Sequence, residues 1–169
     1  MKVIFLDIDG VLNCRSTREE AYGFLGIENE KVELLKKIVD KTKAKIVLVS
    51  TWKDEWEKGR ALSDIGQYMI DKLKTHGLEI FDKTKDILPE MAKGLEICNA
   101  SALLSRGEGI FIYLLENEID GYVILDDRQF DYDRYDLTDN LVKTNMKTGL
   151  DLALTLKAID ILKRKLPSQ

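Results

Sequence analysis

Val3-Ile-Phe-Leu6 is an apolar run that stops at two carboxylates, Asp7 and Asp9, with Ile8 between them and Gly10 after them. No other stretch of the 169-residue chain restricts the fold as much. A run of this kind fills a strand buried on both faces, as in parallel sheets covered by helices. Side chains alternate along extended backbone, so Asp7 and Asp9 are predicted to point the same way. Carboxylates brought together repel, and one of them resists ionisation unless a cation lies between them. Gly10 permits a sharp turn or a close approach to the backbone. Open α/β sheets bind ligands at the carboxyl ends of their strands, where these acids stand. A solvated Asp-Gly turn is the plain alternative, but a turn does not require two alternating acids behind so apolar a strand.

The rest of the chain repeats the theme. Val32, Leu34, Leu35, Ile38 and Val39 recur at helical spacing with lysines in the gaps, which predicts an amphipathic helix over about 29–41. Ala44 to Val49 reads as a second buried strand, so a parallel βαβ unit is the default topology. That strand ends in Ser50-Thr51, hydroxyls that can donate to a phosphoryl oxygen without adding charge, or cap a following helix. Trp52 and Trp56, four apart as on one helix face, read as packing rather than base-stacking residues. A helix is predicted from Leu62 to about Thr75, with His76 as a charge partner at its end, then a short strand over Leu78–Phe81. Ser105, with Glu108 three residues on, reads as a helix cap. Arg106 then falls in the first turn, where the helix dipole disfavours a cation, so the position is predicted to serve an anion. Gly121 to Leu125 is another apolar run ending in acids, Asp126 and Asp127. A tyrosine-rich loop follows over 128–140, then a strand at Leu141, and Thr148-Gly149-Leu150 opens a last helix.

Asp7-Ile8-Asp9-Gly10 resembles motif I of the haloacid dehalogenase (HAD) superfamily of phosphotransferases. The resemblance implies that Asp7 attacks phosphorus and forms an aspartyl-phosphate, and that Asp9 serves as general acid and base. It also implies a Mg2+ ion held by Asp7, Asp9, Asp126 and Asp127, the last two resembling motif IV, with Asp126 direct and Asp127 direct or through water. Ser50 resembles motif II, with Thr51 as its alternate, and Arg106 resembles motif III; both would bind the substrate phosphate. A carboxylate nucleophile and a hard cation with oxygen ligands suit phosphoryl transfer. The implied fold is a Rossmann-like three-layer α/β/α sandwich with a mainly parallel sheet and minimal or no cap. It would form one domain over 1–169, with a short flap or loop excursion at 13–28 and a helical insert at 53–105. Ser50-Thr51-Trp52, Arg106-Gly107-x-x-Ile110, Leu125-Asp126-Asp127 and Thr148-Gly149-Leu150 are similar to the small HAD phosphatases of the Swiss Army Knife RNA repair group. That similarity implies a nucleotide or a phosphorylated polynucleotide end as substrate. Val11 departs from the pattern, since many relatives carry Thr there.

Composition narrows the partners. A formal net charge of −4 argues against broad electrostatic binding of nucleic acid, though not against recognition of one phosphorylated end. No apolar run approaches the length of a membrane span, and the opening strand is too short for an export signal. Cys14 and Cys98 are far apart and fit no zinc pattern, so reduced thiols and a cytoplasmic location are expected. The rival reading is a magnesium- or phosphate-binding regulatory module without turnover. Receiver-type modules, however, place an acid pair on one strand and the phosphorylated Asp on another, unlike Asp7 and Asp9.

Overall fold

The computed structural model describes residues 1–85 and 105–164. In chain order the elements are β1 (Lys2–Leu6), the hairpin strands β2 (Glu20–Ala21) and β3 (Phe24–Leu25), α1 (Asn29–Thr42) and β4 (Lys45–Leu48). A second hairpin, β5 (Trp56–Glu57) and β6 (Arg60–Ala61), leads to α2 (Asp64–Thr75) and β7 (Ile80–Lys83). Then come α3 (Arg106–Glu116), β8 (Gly121–Asp126), β9 (Leu141–Lys143) and α4 (Leu152–Lys163). Five strands form one sheet in the order β7-β4-β1-β8-β9, every pair parallel.

The alternation of side chains divides the core in two. Ile4 and Leu6 of β1, Ile46 and Leu48 of β4, and Val123 and Leu125 of β8 pack with α1, α2 and α4 on one face. Val3, Phe5, Val47, Tyr122 and Ile124 pack on the other face with Ile110 and Tyr113 of α3. The result is the implied three-layer α/β/α sandwich, with a parallel sheet. Because both faces are covered, the strands read as unbroken apolar runs.

Register sets the geometry of the site. Leu6 pairs with Leu48 on one side and with Leu125 on the other, so the three central strands end level. Asp7 N–H donates to the Leu125 carbonyl at 2.9 Å, and Val49 N–H to the Leu6 carbonyl at 3.0 Å. Asp7 therefore lies beside Asp126, and Ser50 two residues beyond the end of the neighbouring strand. The order reverses around β1, the kind of position where open sheets leave a crevice for ligands.

Three local expectations change in form. Residues 13–28, expected as a short flap or loop excursion, contain a β-hairpin with a two-residue turn at Tyr22 (φ 53°) and Gly23 (φ 81°). Paired positive φ angles make the tight turn that suits strand twist, but strands of two residues leave no visible alternation in sequence. The helical insert expected over 53–105 is, in its described part, a hairpin, α2 and the edge strand β7 of the central sheet. The last helix starts at Leu152 rather than Thr148, because Asp151 caps it by accepting from Leu154 N–H at 2.8 Å. Cys98 lies outside the described residues. Among the described residues no helix is long and apolar enough to cross a membrane.

Candidate active site

Asp7, Asp126 and Asp127 bring one carboxylate oxygen each to within 4.8 Å of one another. Asp7 and Asp126 continue the rows of Val3–Phe5 and Tyr122–Ile124, so they project to the α3 side of the sheet. Arg106, the first residue of α3, meets them there. Its Nη1 donates to Asp7 Oδ2 at 2.9 Å and to Asp126 Oδ2 at 2.6 Å. Ser105 caps the helix by accepting from Glu108 N–H at 3.0 Å, which fixes where Arg106 enters. Placing a cation in a first helical turn costs about 0.3–1 kcal/mol, and two buried carboxylates outweigh that.

The charges do not balance. Burial pushes the Asp7 carboxyl up; Arg106 opposes this, and Asp126 adds to it. Burial, followed by the charge of Asp7, also pushes Asp127 up. Burial works to lower the Arg106 guanidinium, but Asp7 and Asp126 prevail and hold it above its usual value. At an effective dielectric near 20, each pair of carboxylates at this range repels by about 3–4 kcal/mol. Arg106 faces two of the three acids, and Arg128 reaches Asp127 only at 3.9 Å from a side chain largely in solvent, so negative charge is left in surplus. That surplus, presented as hard oxygen donors, fits a divalent ion of the magnesium type.

Ser50 is buried, its hydroxyl accepts from Trp52 N–H at 3.4 Å, and it helps draw the Asp7 carboxyl down against burial. Thr51 is exposed and begins a short 3-10 turn, so Ser50 is the hydroxyl inside the site. Asp9 departs from expectation. The chain leaves extended geometry after Leu6, and Val11 and Leu12 N–H both turn back to the Ile8 carbonyl at 3.1 and 2.8 Å. The Asp9 carboxylate is thereby carried away from the acid cluster. Its Oδ1 accepts from Asn13 Nδ2 at 2.8 Å and its Oδ2 from Trp52 Nε1 at 3.1 Å. The cluster of carboxylate oxygens is Asp7, Asp126 and Asp127, and the Asp9 side chain lies outside it.

Several supporting residues escape a reading of sequence alone. Asn13, fully buried, also accepts from Gly10 N–H at 2.9 Å and donates to the Leu25 carbonyl at 3.4 Å, linking Asp9 to the hairpin. Trp52 packs as expected but adds its donor to Asp9, 43 residues away. The Tyr132 phenol donates to Asp126 Oδ2 at 2.7 Å; burial and then Asp126 push its ionisation far up, so it stays a donor. Only the acid-rich, tyrosine-rich composition of 128–140 hints at that role. His76 Nδ1 donates to the Lys72 carbonyl at 3.0 Å on the end of α2, away from these groups.

Gly10 is required on two counts. Its φ is +74°, and a Cβ there would lie 2.6 Å from Asp127 Cβ. Gly10→Ala is expected to cost about 1–3 kcal/mol by strain alone and to dislodge Asp127. Urea unfolding and metal titration of the variant should both register the change; wild-type values in both would show that the contact has slack.

A family model described as the HAD domain in Swiss Army Knife RNA repair proteins matches residues 3–154. That span runs from β1 into α4 and includes every residue of the site. Neither a curated relative nor a solved structure matches the chain. With five parallel strands, acids at the ends of β1 and β8 and a family match over nearly its whole length, the chain belongs to the HAD domain family of Swiss Army Knife RNA repair proteins.

Proposed function

We propose that the protein is a magnesium-dependent phosphomonoester hydrolase that works through an aspartyl-phosphate on Asp7. The observation that carries this reading is the arrangement of Arg106 Nη1 on Asp7 Oδ2, with two more carboxylates alongside at the end of a parallel sheet. An Asp7 oxygen attacks phosphorus in line, and the leaving oxygen departs opposite. Arg106 and Ser50 hold and neutralise the transferring group. Asp9, oriented by Asn13 and Trp52, gives its proton to the leaving oxygen and then takes one from the water that cleaves the acyl-phosphate. Magnesium bound by Asp7, Asp126 and Asp127 would offset the surplus charge and polarise the phosphoryl oxygens.

The substrate in this reading is a phosphorylated nucleotide or polynucleotide end. Its support is the family description and a hairpin between β1 and α1 too small to enclose the site. A comparison of 3′- and 5′-phosphorylated oligonucleotides, nucleotides and sugar phosphates, with magnesium and with chelator, tests it. Preference for a small sugar phosphate would overturn the substrate class; magnesium-independent turnover would overturn the metal.

Asp9→Asn separates the two chemical steps. With an aryl phosphate the leaving group needs little protonation, so the first step should survive while hydrolysis slows by about 10²–10⁴-fold. Labelled phosphate should then remain on the protein after an acid quench. Undiminished turnover in this variant would remove Asp9 from the mechanism.

A further inference from the structure

Among the described residues, Phe130 is the aromatic ring set against Arg106: the guanidinium carbon lies 4.0 Å from its centroid. The ring is nonetheless 40% exposed, whereas the Arg106 side chain is only 14% exposed. Phe130 therefore roofs the arginine and presents its remaining surface to solvent at the rim of the site. Its backbone is in the left-handed region, φ 43°, which a bulky residue seldom adopts. The residues that follow hold it there. Asp131 Oδ1 accepts from Gly107 N–H at 2.8 Å, and its other oxygen bonds Ser105. Tyr132 bonds Asp126. Arg128 lies farther from the ring, at 6.0 Å, with its own side chain largely in solvent. Strain retained by clamps on both α3 and β8 points to a use for the ring.

We propose that Phe130 is the specificity-determining residue of this site, a shelf on which a planar aromatic part of the leaving group stacks, the nucleobase of a phosphorylated nucleoside being its biological form. The inference rests on the phosphatase reading. A phosphate held by Arg106 must carry its ester group past the roof of that arginine. A flat π-system gains by lying on the ring, while an aliphatic alcohol or a sugar gains little.

The test compares adenosine 3′- and 5′-monophosphate with glycerol phosphate in wild type, Phe130→Gly and Phe130→Trp. Glycine suits the positive φ, so the first variant should keep or raise the melting temperature and leave the fold intact. Its KM for the nucleotide should rise roughly tenfold, the scale of one lost base stack, with little change for glycerol phosphate. Tryptophan should restore the nucleotide KM. Equal losses on both substrates would overturn the shelf and leave Phe130 as a prop for Arg106, with the phosphatase reading intact. Failure of the wild type to hydrolyse any of the three, or a 3′- or 5′-phosphorylated oligonucleotide, would instead defeat the phosphatase reading, and the shelf with it.

Discussion

Asp7→Asn is expected to lower phosphatase turnover by about 10³-fold or more, the scale at which removing a covalent nucleophile acts. The amide keeps the shape of the carboxyl and its place beside Ile8 N–H, which Asp7 Oδ1 now accepts at 2.8 Å. It cannot form the acyl-phosphate. The fold should tolerate the change. Asp7 is buried and repelled by Asp126, and Arg106 keeps its 2.6 Å contact with Asp126 when Asp7 is neutral. The melting temperature should therefore move by no more than a few degrees, in contrast to the collapse of activity. Magnesium should bind more weakly, since one of three carboxylates has lost its charge. Calorimetry, metal titration and turnover on one preparation check all three. Full turnover in the variant would end the aspartyl-phosphate mechanism.

Wherever burial or a single strand end controls the outcome, the structure follows the sequence. β1, β4 and β8 are apolar because both faces of the sheet are covered, and each run stops where the backbone reaches the site. Arg106 stands out because a cation in a first helical turn conflicts with the dipole. The conflict resolves in two carboxylates contributed from β1 and β8.

What alternation cannot foresee is where extended backbone ends. Asp7 and Asp9 share a face only if Ile8 stays in the strand, and two N–H groups turning back on the Ile8 carbonyl end that. The acids that stand together are Asp7 and Asp126, 119 positions apart by their numbers, joined by parallel register rather than by local spacing. The same reason hides Trp52 and Tyr132. Each looks like packing until a partner far along the chain supplies an acceptor. Phe130 shows only through its backbone angle and its neighbour, neither of which is written in the local sequence.

Arg106→Met tests the charge balance most directly. Methionine keeps apolar volume along the helix and removes the cation facing Asp7 and Asp126. Leaving a buried carboxylate pair without its partner typically costs about 3–5 kcal/mol. In a domain of this size each 1 kcal/mol moves the melting temperature by about 2–4 °C, so in chelator the variant should melt roughly 6–20 °C below wild type. Magnesium should return part of that loss, about 2.7 kcal/mol at a hundredfold excess over the dissociation constant, and should stabilise the variant more than the wild type. The reason is that Arg106 and the ion offset the same surplus charge. Arg106→Lys then separates charge from shape. Both carboxylate bonds run from one guanidinium nitrogen, so an ammonium can supply the charge, whereas it lacks the planar fork that grips a phosphate. Stability should recover further than catalysis in the lysine variant. If the methionine variant melts with the wild type in chelator, the three carboxylates carry no surplus charge, and the case for a divalent ion among them fails.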